Sequence, residues 1–289
     1  MPNNNNHNNP NRQRPANSRQ PRQNHTETQE EKKRIRNALR RKFGEERKYG
    51  QILQSAQQRS NNRPDMLSPV KRLASIILVD ASQSMFEHRV TIKRSIRRLH
   101  EEIAKDSEAA HAVELGIYTF NDQIEKLQEI TEVSRQNIDW PKLWINFAEP
   151  TMTGEAITIA LSELMSRRET DRSSGLHTYP PILFILSDGK PQFPNDVELS
   201  RATQAHTQEQ IQVIRRLVRD HNLVVVCLQI GRDPTLTRIM KDLTGLAMTD
   251  PLMEERYFCI DQDPVAIEKF FKWASDFLKS SSSATESGR

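Results

Sequence analysis

The sequence predicts an α/β domain in which a doubly wound, mostly parallel β-sheet carries helices on both faces. Four apolar runs have strand length but lack the polar alternation of half-exposed strands, as is typical of strands buried on both faces of a parallel sheet: residues 73–79, 113–121, 182–186 and 223–230. Segments with apolar residues at helical spacing lie between these runs. Strands and helices that alternate in this way favour parallel βαβ units.

The other elements are predicted from the same periodicities. Residues 87–105 predict a helix that packs on the sheet, and the alternating segment 124–130 predicts a short edge strand. Residues 132–150 predict an irregular segment whose aromatic side chains cover the sheet edge. The sequence then predicts a helix at 151–165, a charged loop at 166–180, a long helix in two pieces ending at 220, a helix stopped by Gly245, a fifth strand at 256–261 and a closing helix at 264–278.

Polar segments flank the predicted domain at both ends. The mean hydropathy of −0.74 is too low for one compact domain throughout. Residues 1–70 predict a basic arm that is disordered apart from a short amphipathic helix, because its first 26 residues have almost no aliphatic side chains to bury. The folded domain is predicted at residues 71–279 and a disordered tail at residues 280–289.

Charge is divided unevenly between the arm and the domain. Residues 1–72 hold 17 Lys and Arg against 6 Asp and Glu, whereas the remaining 217 residues hold 25 against 32, so a net charge of +11 adjoins a net charge of −7. The arm is interpreted as a solvated linker or, alternatively, as a contact for nucleic acid or another anionic partner. It contains no base-reading motif and no interleaved aromatic side chains.

The sequence favours a cytoplasmic protein. No apolar run reaches about 18 residues, and the first residues lack the apolar core of a secretory peptide, so neither a membrane span nor a signal peptide is expected. Cys227 and Cys259 lie in apolar runs without CxxC spacing, and both are expected to be inert core thiols. The six histidines between residues 88 and 221 are expected on the surface.

Oxygen-bearing side chains collect where segments of the predicted fold end or begin. Asp80, Ser82 and Ser84 follow the first buried strand, Thr151 stands at a helix entrance, and Asp188 follows the strand at 182–186. Open α/β sheets bind ligands at the carboxyl ends of their strands, so the five side chains are expected to converge if the strands are neighbours. Three hydroxyls and two carboxylates suit octahedral Mg²⁺ or Mn²⁺, with some positions left to water.

Other interpretations of these residues stay open. Asp80, Ser82 and Thr151 are also residue types that cap helices, and Asp188 with Gly189 is an ordinary turn sequence. An Asp after a buried strand also begins aspartyl-phosphate phosphatases, but that chemistry needs a second carboxylate two residues on, where this chain has Ser82. With no Gly-rich phosphate loop and no HExxH motif in the sequence, the chain is not expected to be an enzyme.

Three motifs resemble the metal-ion-dependent adhesion site of von Willebrand factor A domains: DASQSM with Asp80, Ser82 and Ser84, TMTGEAI with Thr151, and LSDGKP with Asp188. The resemblance covers roughly residues 73–279 and implies a Rossmann-like fold. Within this family, the phrases YTFND, WPKLWINFAEPTMTGEA, ILFILSDGKPQ and FFKWASDFL are similar to those of bacterial tellurium-resistance TerY-like proteins.

The resemblance implies a function and a role for each site residue. Ser82, Ser84 and Thr151 are implied to supply hydroxyls to Mg²⁺ or Mn²⁺, directly or through water, while Asp80 and Asp188 hold the ion largely through waters. The open position is implied to accept a carboxylate of a protein partner. An adaptor or scaffold in a bacterial stress or conflict system is therefore expected, with a nucleic-acid adaptor or, more remotely, a metal-dependent phosphohydrolase as alternatives.

The chain departs from the group's pattern at two places. Glu149 and Pro150 precede Thr151 where glycines are usual, which is expected to stiffen the loop and to bring an extra carboxylate near the ion. Lys190 replaces a commonly acidic residue after Asp188 and Gly189. A cation at that position is expected either to weaken metal binding or to attract an acidic partner.

Overall fold

A computed structural model describes residues 71–140, 151–189 and 197–283. The predicted basic arm, with its short helix, lies outside the described residues. Most of the predicted edge-covering segment and residues 284–289 also lie outside them.

The described residues form one mixed sheet. Its order is β3-β2-β1-β5-β6-β7, with β4 pairing beside the start of β1, and every pairing is parallel except the antiparallel pair of β2 and β3. The strands are β1 (Lys71–Asp80), β2 (Val113–Phe120), β3 (Ile124–Glu132), β4 (His177–Thr178), β5 (Ile182–Ser187), β6 (Val224–Ile230) and β7 (Tyr257–Ile260). The predicted mostly parallel sheet is confirmed, and the edge strand predicted at residues 124–130 is the antiparallel strand β3.

Helices cover both faces of this sheet. They are α1 (Arg89–Ala104), α2 (Ser107–Ala112), α3 (Thr153–Ser173), α4 (Val197–Arg219), α5 (Pro234–Leu243), α6 (Met253–Arg256) and α7 (Pro264–Ser283), with short 3-10 helices at Gln83–His88 and Val133–Arg135. None of the described helices has the length and apolar composition required to cross a membrane.

Alternate residues of β1 enter two separate cores. Ile77 and Val79 pack with α1 and α7 on one face, whereas Ile76 and Leu78 pack with α3, α4 and α5 on the other. All four side chains are at most 1% exposed. Burial on both faces explains why the run has no polar alternation. The predicted doubly wound α/β architecture is therefore confirmed.

Buried ion pairs lie at the amino ends of β1 and β2, away from Asp80. Glu114 is fully buried and contacts Arg167 of α3, whose Nε donates to its Oε2 at 2.9 Å. Arg72 Nη2 lies 2.9 Å from Glu132 Oε2 of β3. Burial, reinforced by the charge of Glu114, raises the pKa of Asp171 to about 6. The last turns of α3 thus face the interior through charged rather than apolar side chains.

These ion pairs explain one error of the sequence analysis. Residues 166–180 are not a charged loop, because α3 continues to Ser173 and β4 occupies His177–Thr178. Arg168 and Asp171 are both buried in this part of α3, so the helix continues after its apolar periodicity ends. The long helix predicted in two pieces is a single helix, α4, over the residues that the structure describes.

The boundary between domain and tail also differs from the prediction. Helix α7 continues to Ser283, so residues 280–283 belong to the closing helix rather than to a disordered tail. Ser281 and Ser282 are buried, and Ser282 Oγ donates to Lys279 O at 2.8 Å. Serine side chains are small enough to be buried on the packed face of a helix. A prediction of disorder from a serine-rich composition does not take this into account.

Two predictions about exposure are wrong in part. Cys227 is buried as expected, and burial raises the pKa of its thiol, but Cys259 is exposed on β7, the last strand in the sheet order of the described residues. His88 and His100 are not surface residues, since their exposed fractions are 6% and 8%.

Candidate metal centre

Strand pairing brings Asp80 and Asp188 to the same edge of the sheet. β1 lies between β2 and β5, and Asp80 pairs in register with Phe120 at the carboxyl end of β2. Val79 pairs with Leu186 of β5, so Ser187, the last residue of β5, and Asp188, which follows it, lie beside Asp80. The neighbouring strands that the sequence analysis required are therefore present, and this carboxyl edge is where ligands bind in open α/β folds.

Asp80 is fully buried and held from two sides. Its Oδ1 accepts a hydrogen bond from Ser82 N at 2.8 Å, and its Oδ2 accepts one from Ser187 Oγ at 2.6 Å. Burial raises the pKa of this carboxyl to about 6, although the bonds from Ser187 and Ser82 act in the opposite direction. The fold therefore holds the Asp80 carboxylate in place, but its hydrogen bonds only partly offset the cost of burying its negative charge.

A chain of hydroxyl contacts joins the two halves of the site. Ser82 Oγ lies 3.1 Å from Ser84 Oγ, and Ser84 Oγ donates to Asp188 Oδ1 at 2.7 Å across 104 residues of sequence. Ser82 precedes the 3-10 helix, but its side chain makes no capping hydrogen bond. Ser82 therefore stands at the N-cap position of this helix but does not cap it through its side chain.

Thr151 is placed next to β2, on the other side of β1 from Asp188. Its side chain is buried, with 4% exposure, and Met152 N donates to Asn121 O at 2.9 Å just beyond β2. The residue at the N-cap position of α3 is Met152, so Thr151 is not the N-cap. The described hydrogen bonds include none between Thr151 and the other four residues, and the structure therefore connects four of the five predicted site residues directly.

Electrostatics at the site favour a bound cation. Burial raises the pKa of Asp188, while the hydrogen bond from Ser84 and the nearby charge of His88 lower it. The charge of Asp188 contributes in turn to the raised pKa of Asp80. Two carboxylates that repel each other in a poorly solvated place are stabilised when a positive ion lies between them.

The composition of the site suits a hard cation of the Mg²⁺ type. Such ions take oxygen ligands in octahedral geometry and keep several waters, and the predicted donors are hydroxyl and carboxylate oxygens. Among the described residues, no group of three or more His, Cys, Asp or Glu forms a metal cluster. This finding agrees with the site's composition, since only two of its five residues are carboxylates.

Three residues that contribute to the site were missed in the sequence analysis. Ser187 holds Asp80, Asn121 holds the backbone beside Thr151, and His88 lies near Asp188. Ser187 had a usable signal, because it stands in the polar cluster that ends an apolar run. Glu149, Pro150 and Lys190, where the chain departs from the resembling group, lie outside the described residues.

The fold and the site define a class of protein: a doubly wound α/β domain with an oxygen-ligand site at the carboxyl edge of its sheet. The von Willebrand factor type A domain profile matches residues 76–272, which is more than half of the chain. The chain therefore belongs to the von Willebrand factor type A domain family. A comparison with curated proteins finds no match.

Several solved structures share the fold at low sequence identity. The pilus adhesin SpaC from Lactobacillus rhamnosus GG aligns at 14% identity with a TM-score of 0.53, covering 75% of this chain and 31% of that one. The vWF domain of the type V pili tip protein Mfa5 from Porphyromonas gingivalis aligns at 11% identity with a TM-score of 0.51, covering 74% and 96%.

A more distant structure carries a metal. Proximal thread matrix protein 1 from the mussel byssus, described with a zinc-occupied MIDAS motif, aligns at 14% identity with a TM-score of 0.46, covering 74% of this chain and 47% of that one. This chain thus spans under half the length of the mussel and Lactobacillus chains. At these identities, the alignments with SpaC and Mfa5 show the fold alone.

Proposed function

We propose that this domain is a metal-ion-dependent protein-interaction module. In this proposal Asp80, Ser82, Ser84, Thr151 and Asp188 hold Mg²⁺ or Mn²⁺, and the ion accepts a carboxylate from a protein partner. The observation that carries the proposal is the contact of Ser84 Oγ with both Ser82 Oγ and Asp188 Oδ1, at 3.1 Å and 2.7 Å. This contact brings together predicted ligands that follow β1 and β5.

The charge of the site supports a carboxylate as the partner group. A divalent cation beside two carboxylates is formally neutralised only if both are ionised, and burial disfavours ionisation of both. The hydroxyls of Ser82, Ser84 and Thr151 add no charge. When bound, the ion supplies a Lewis-acidic position open to an external oxygen ligand, and an anionic ligand suits it better than a neutral one.

The site residues have separable roles in this proposal. Ser82 and Ser84 present hydroxyl ligands, and Thr151 adds a third from the α3 side. Asp80 and Asp188 balance the ion's charge, largely through water. Ser187 keeps Asp80 in place through its 2.6 Å hydrogen bond to Oδ2, as outer-shell partners do in other metal sites.

The proposal involves binding without bond making. Residue 82 is a serine, so the site lacks the second carboxylate that phosphoryl transfer through an aspartate would use as a general acid. The hydroxyls of Ser82 and Ser84 contact each other and a carboxylate rather than a histidine base. We therefore propose that the chain is not an enzyme.

Metal titration of the full chain tests the first half of the proposal. Isothermal calorimetry of protein freed of ions should show Mg²⁺ and Mn²⁺ binding to the unsubstituted chain, and Ser84→Ala or Thr151→Ala should weaken it by about tenfold or more. Ser75→Ala is the matched control, because Ser75 Oγ is buried in β1, the strand that ends at Asp80, and has no hydrogen-bond partner among the described residues. Equal affinities in all four proteins would overturn the metal assignment.

Peptide selection tests the second half. A displayed random peptide library is captured on the full chain in Mg²⁺ and released with EDTA. The selected peptides should share an Asp or Glu, and its replacement by Asn or Gln should abolish binding. Peptides that bind equally to Asp80→Ala protein, or that remain bound in EDTA, would contradict a metal-bridged carboxylate.

A second candidate function concerns the basic arm. Its net charge of +11 over residues 1–72 favours an adaptor that contacts nucleic acid while the domain binds a protein. Gel-shift titration of the full chain should then give affinity that falls steeply with salt and shows little sequence preference. Neutralising Arg40, Arg41 and Lys42 with Gln should reduce the salt slope, and an unchanged slope would exclude the arm as the contact.

The biological setting is proposed only from the resemblance of the sequence motifs to those of TerY-like proteins. The TerY-like phrases support a place in a bacterial stress or conflict system and a cytoplasmic location. Deletion of the gene followed by growth in tellurite or during phage challenge tests that setting, and unchanged survival under both conditions would contradict it.

A further inference from the structure

A contact between α3 and α4 lies directly beyond Thr151. Gly154, in the first turn of α3, packs so closely on α4 that an added Cβ would lie 2.8 Å from Thr207 N and 2.9 Å from His206 C. Both are backbone atoms and cannot move aside independently. The backbones of the two helices therefore meet three residues after the predicted ligand Thr151.

Both ring nitrogens of His206 of α4 face polar side chains of α3. Its Nδ1 lies 3.1 Å from Glu155 Oε1, and its Nε2 lies 3.2 Å from Thr158 Oγ1. Glu155 and Thr158 belong to the first two turns of α3. The His206 and Glu155 side chains are 31% and 28% exposed, so this is a partly solvated contact of moderate strength.

The triad-like order of Glu155, His206 and Thr158 does not indicate a catalytic site. Thr158 Oγ1 donates its one proton to Gly154 O at 2.9 Å, so towards His206 it acts as the acceptor. A nucleophilic hydroxyl would instead donate its proton to the histidine. The histidine therefore acts as a donor that ties two helices together.

Each of the two helices follows, along the chain, one of the residues predicted to bind the metal. α3 follows Thr151, and α4 is the next described element after Asp188. Among the described residues, Thr151 makes no hydrogen bond to the other site residues, and the backbone beside it is held by Met152 N, which donates to Asn121 O at 2.9 Å. Its distance from Asp80 and Asp188 thus depends on how α3 is seated.

We propose that His206 is a positioning residue for the metal centre: by fastening α4 to the first turns of α3, it holds Thr151 within reach of an ion bound by Asp80, Ser84 and Asp188. This inference rests on the proposed function. It adds that the contact between α3 and α4 partly determines the affinity of the site for the metal ion. His206 itself contacts no site residue.

Amide hydrogen exchange of the metal-free full chain provides the first test. In His206→Ala the Met152 amide, which is bonded to Asn121 O, should exchange about two- to fivefold faster, the range expected from losing one partly exposed pair. His206→Gln keeps a side-chain donor and should stay near the unsubstituted rate. Arg215→Ala is the control, since it removes a 2.6 Å ion pair from α4 to Asp242 of α5.

Mn²⁺ calorimetry on the same proteins completes the test. His206→Ala should bind Mn²⁺ about two- to fivefold more weakly, while Arg215→Ala and His206→Gln bind as the unsubstituted chain does. Unchanged Met152 exchange in His206→Ala, or an equal affinity loss in Arg215→Ala, would overturn the positioning role. Faster Met152 exchange in His206→Ala, together with no Mn²⁺ binding to the unsubstituted chain, would instead reject the proposed function. The conclusion that His206 holds α4 against α3 would remain valid.

Discussion

Asp80→Asn is expected to stabilise the metal-free protein while abolishing its response to Mg²⁺. The Asp80 carboxyl is fully buried, and its pKa is raised from 3.8 to about 6. Folding therefore takes up a proton on Asp80 between these values. Its contribution to stability is fully present below about pH 4 and is lost as the pH rises through about 6.

The expected magnitude follows from this difference in pKa. At about 1.4 kcal/mol per pKa unit, ionising Asp80 above pH 6 costs the metal-free fold about 3 kcal/mol. Asparagine is neutral at every pH and has the same shape. Its Oδ1 can still accept from Ser82 N, while Ser187 Oγ accepts from the new amide and donates to Gly189 O, 3.1 Å away. The variant should thus gain about 1–3 kcal/mol near pH 7.5.

Urea denaturation measures this gain directly. The full chain and Asp80→Asn are compared in EDTA near pH 4 and near pH 7.5, then at the higher pH with Mg²⁺. Asp80→Asn should be the more stable protein only at the higher pH without metal, and Mg²⁺ should stabilise only the unsubstituted chain. Asp220→Asn, at an exposed position, serves as the control. A variant destabilised equally at both pH values would refute the argument.

Three further changes test other parts of the structure. Arg167→Ala leaves the fully buried Glu114 with the more distant Arg72, whose Nε lies 3.9 Å from Glu114 Oε1, so the unfolding free energy in urea should fall by about 3–5 kcal/mol; a loss below about 1 kcal/mol would mean that the pair is solvated. Gly154→Ala forces a methyl group against the backbone of α4 and should cost about 1–3 kcal/mol and weaken Mg²⁺ binding, whereas unchanged calorimetry would separate the helix contact from the site. A maleimide should label Cys259 in the native protein and leave Cys227 unmodified until urea is added, as read by mass spectrometry; equal labelling would contradict the assigned burial.

The apolar runs were sufficient to predict the sheet, because each central strand is buried on both faces. In β1, burial of consecutive residues in two cores leaves a continuous apolar run, and Asp80 then marks the strand's carboxyl end. The convergence of Asp80 with Asp188 followed from the same pattern once β1 and β5 proved to be neighbours. The order of the strands in the sheet thus shows that Asp80 and Asp188 lie together, which their spacing along the sequence could not show.

Other features depend on contacts that one-dimensional patterns do not record. The end of α3 escaped prediction because its interior face is held by charges such as Arg167, not by apolar side chains. Capping statistics favoured Thr151 as an N-cap, but the helix begins two residues later and leaves its hydroxyl available. His206 had no signal in the sequence, since its partners lie about 50 residues away on another helix.

Asp80, Ser82, Ser84, Thr151 and Asp188 are proposed to hold a divalent cation. Crystals of the full chain grown with Mn²⁺ and measured at the manganese absorption edge locate the ion directly by anomalous scattering. We expect one strong peak beyond the carboxyl ends of β1 and β5, within about 2.2 Å of the hydroxyl oxygens of Ser82 and Ser84. A strong peak elsewhere, or no peak while the Ser84 to Asp188 hydrogen bond stays intact, would contradict it.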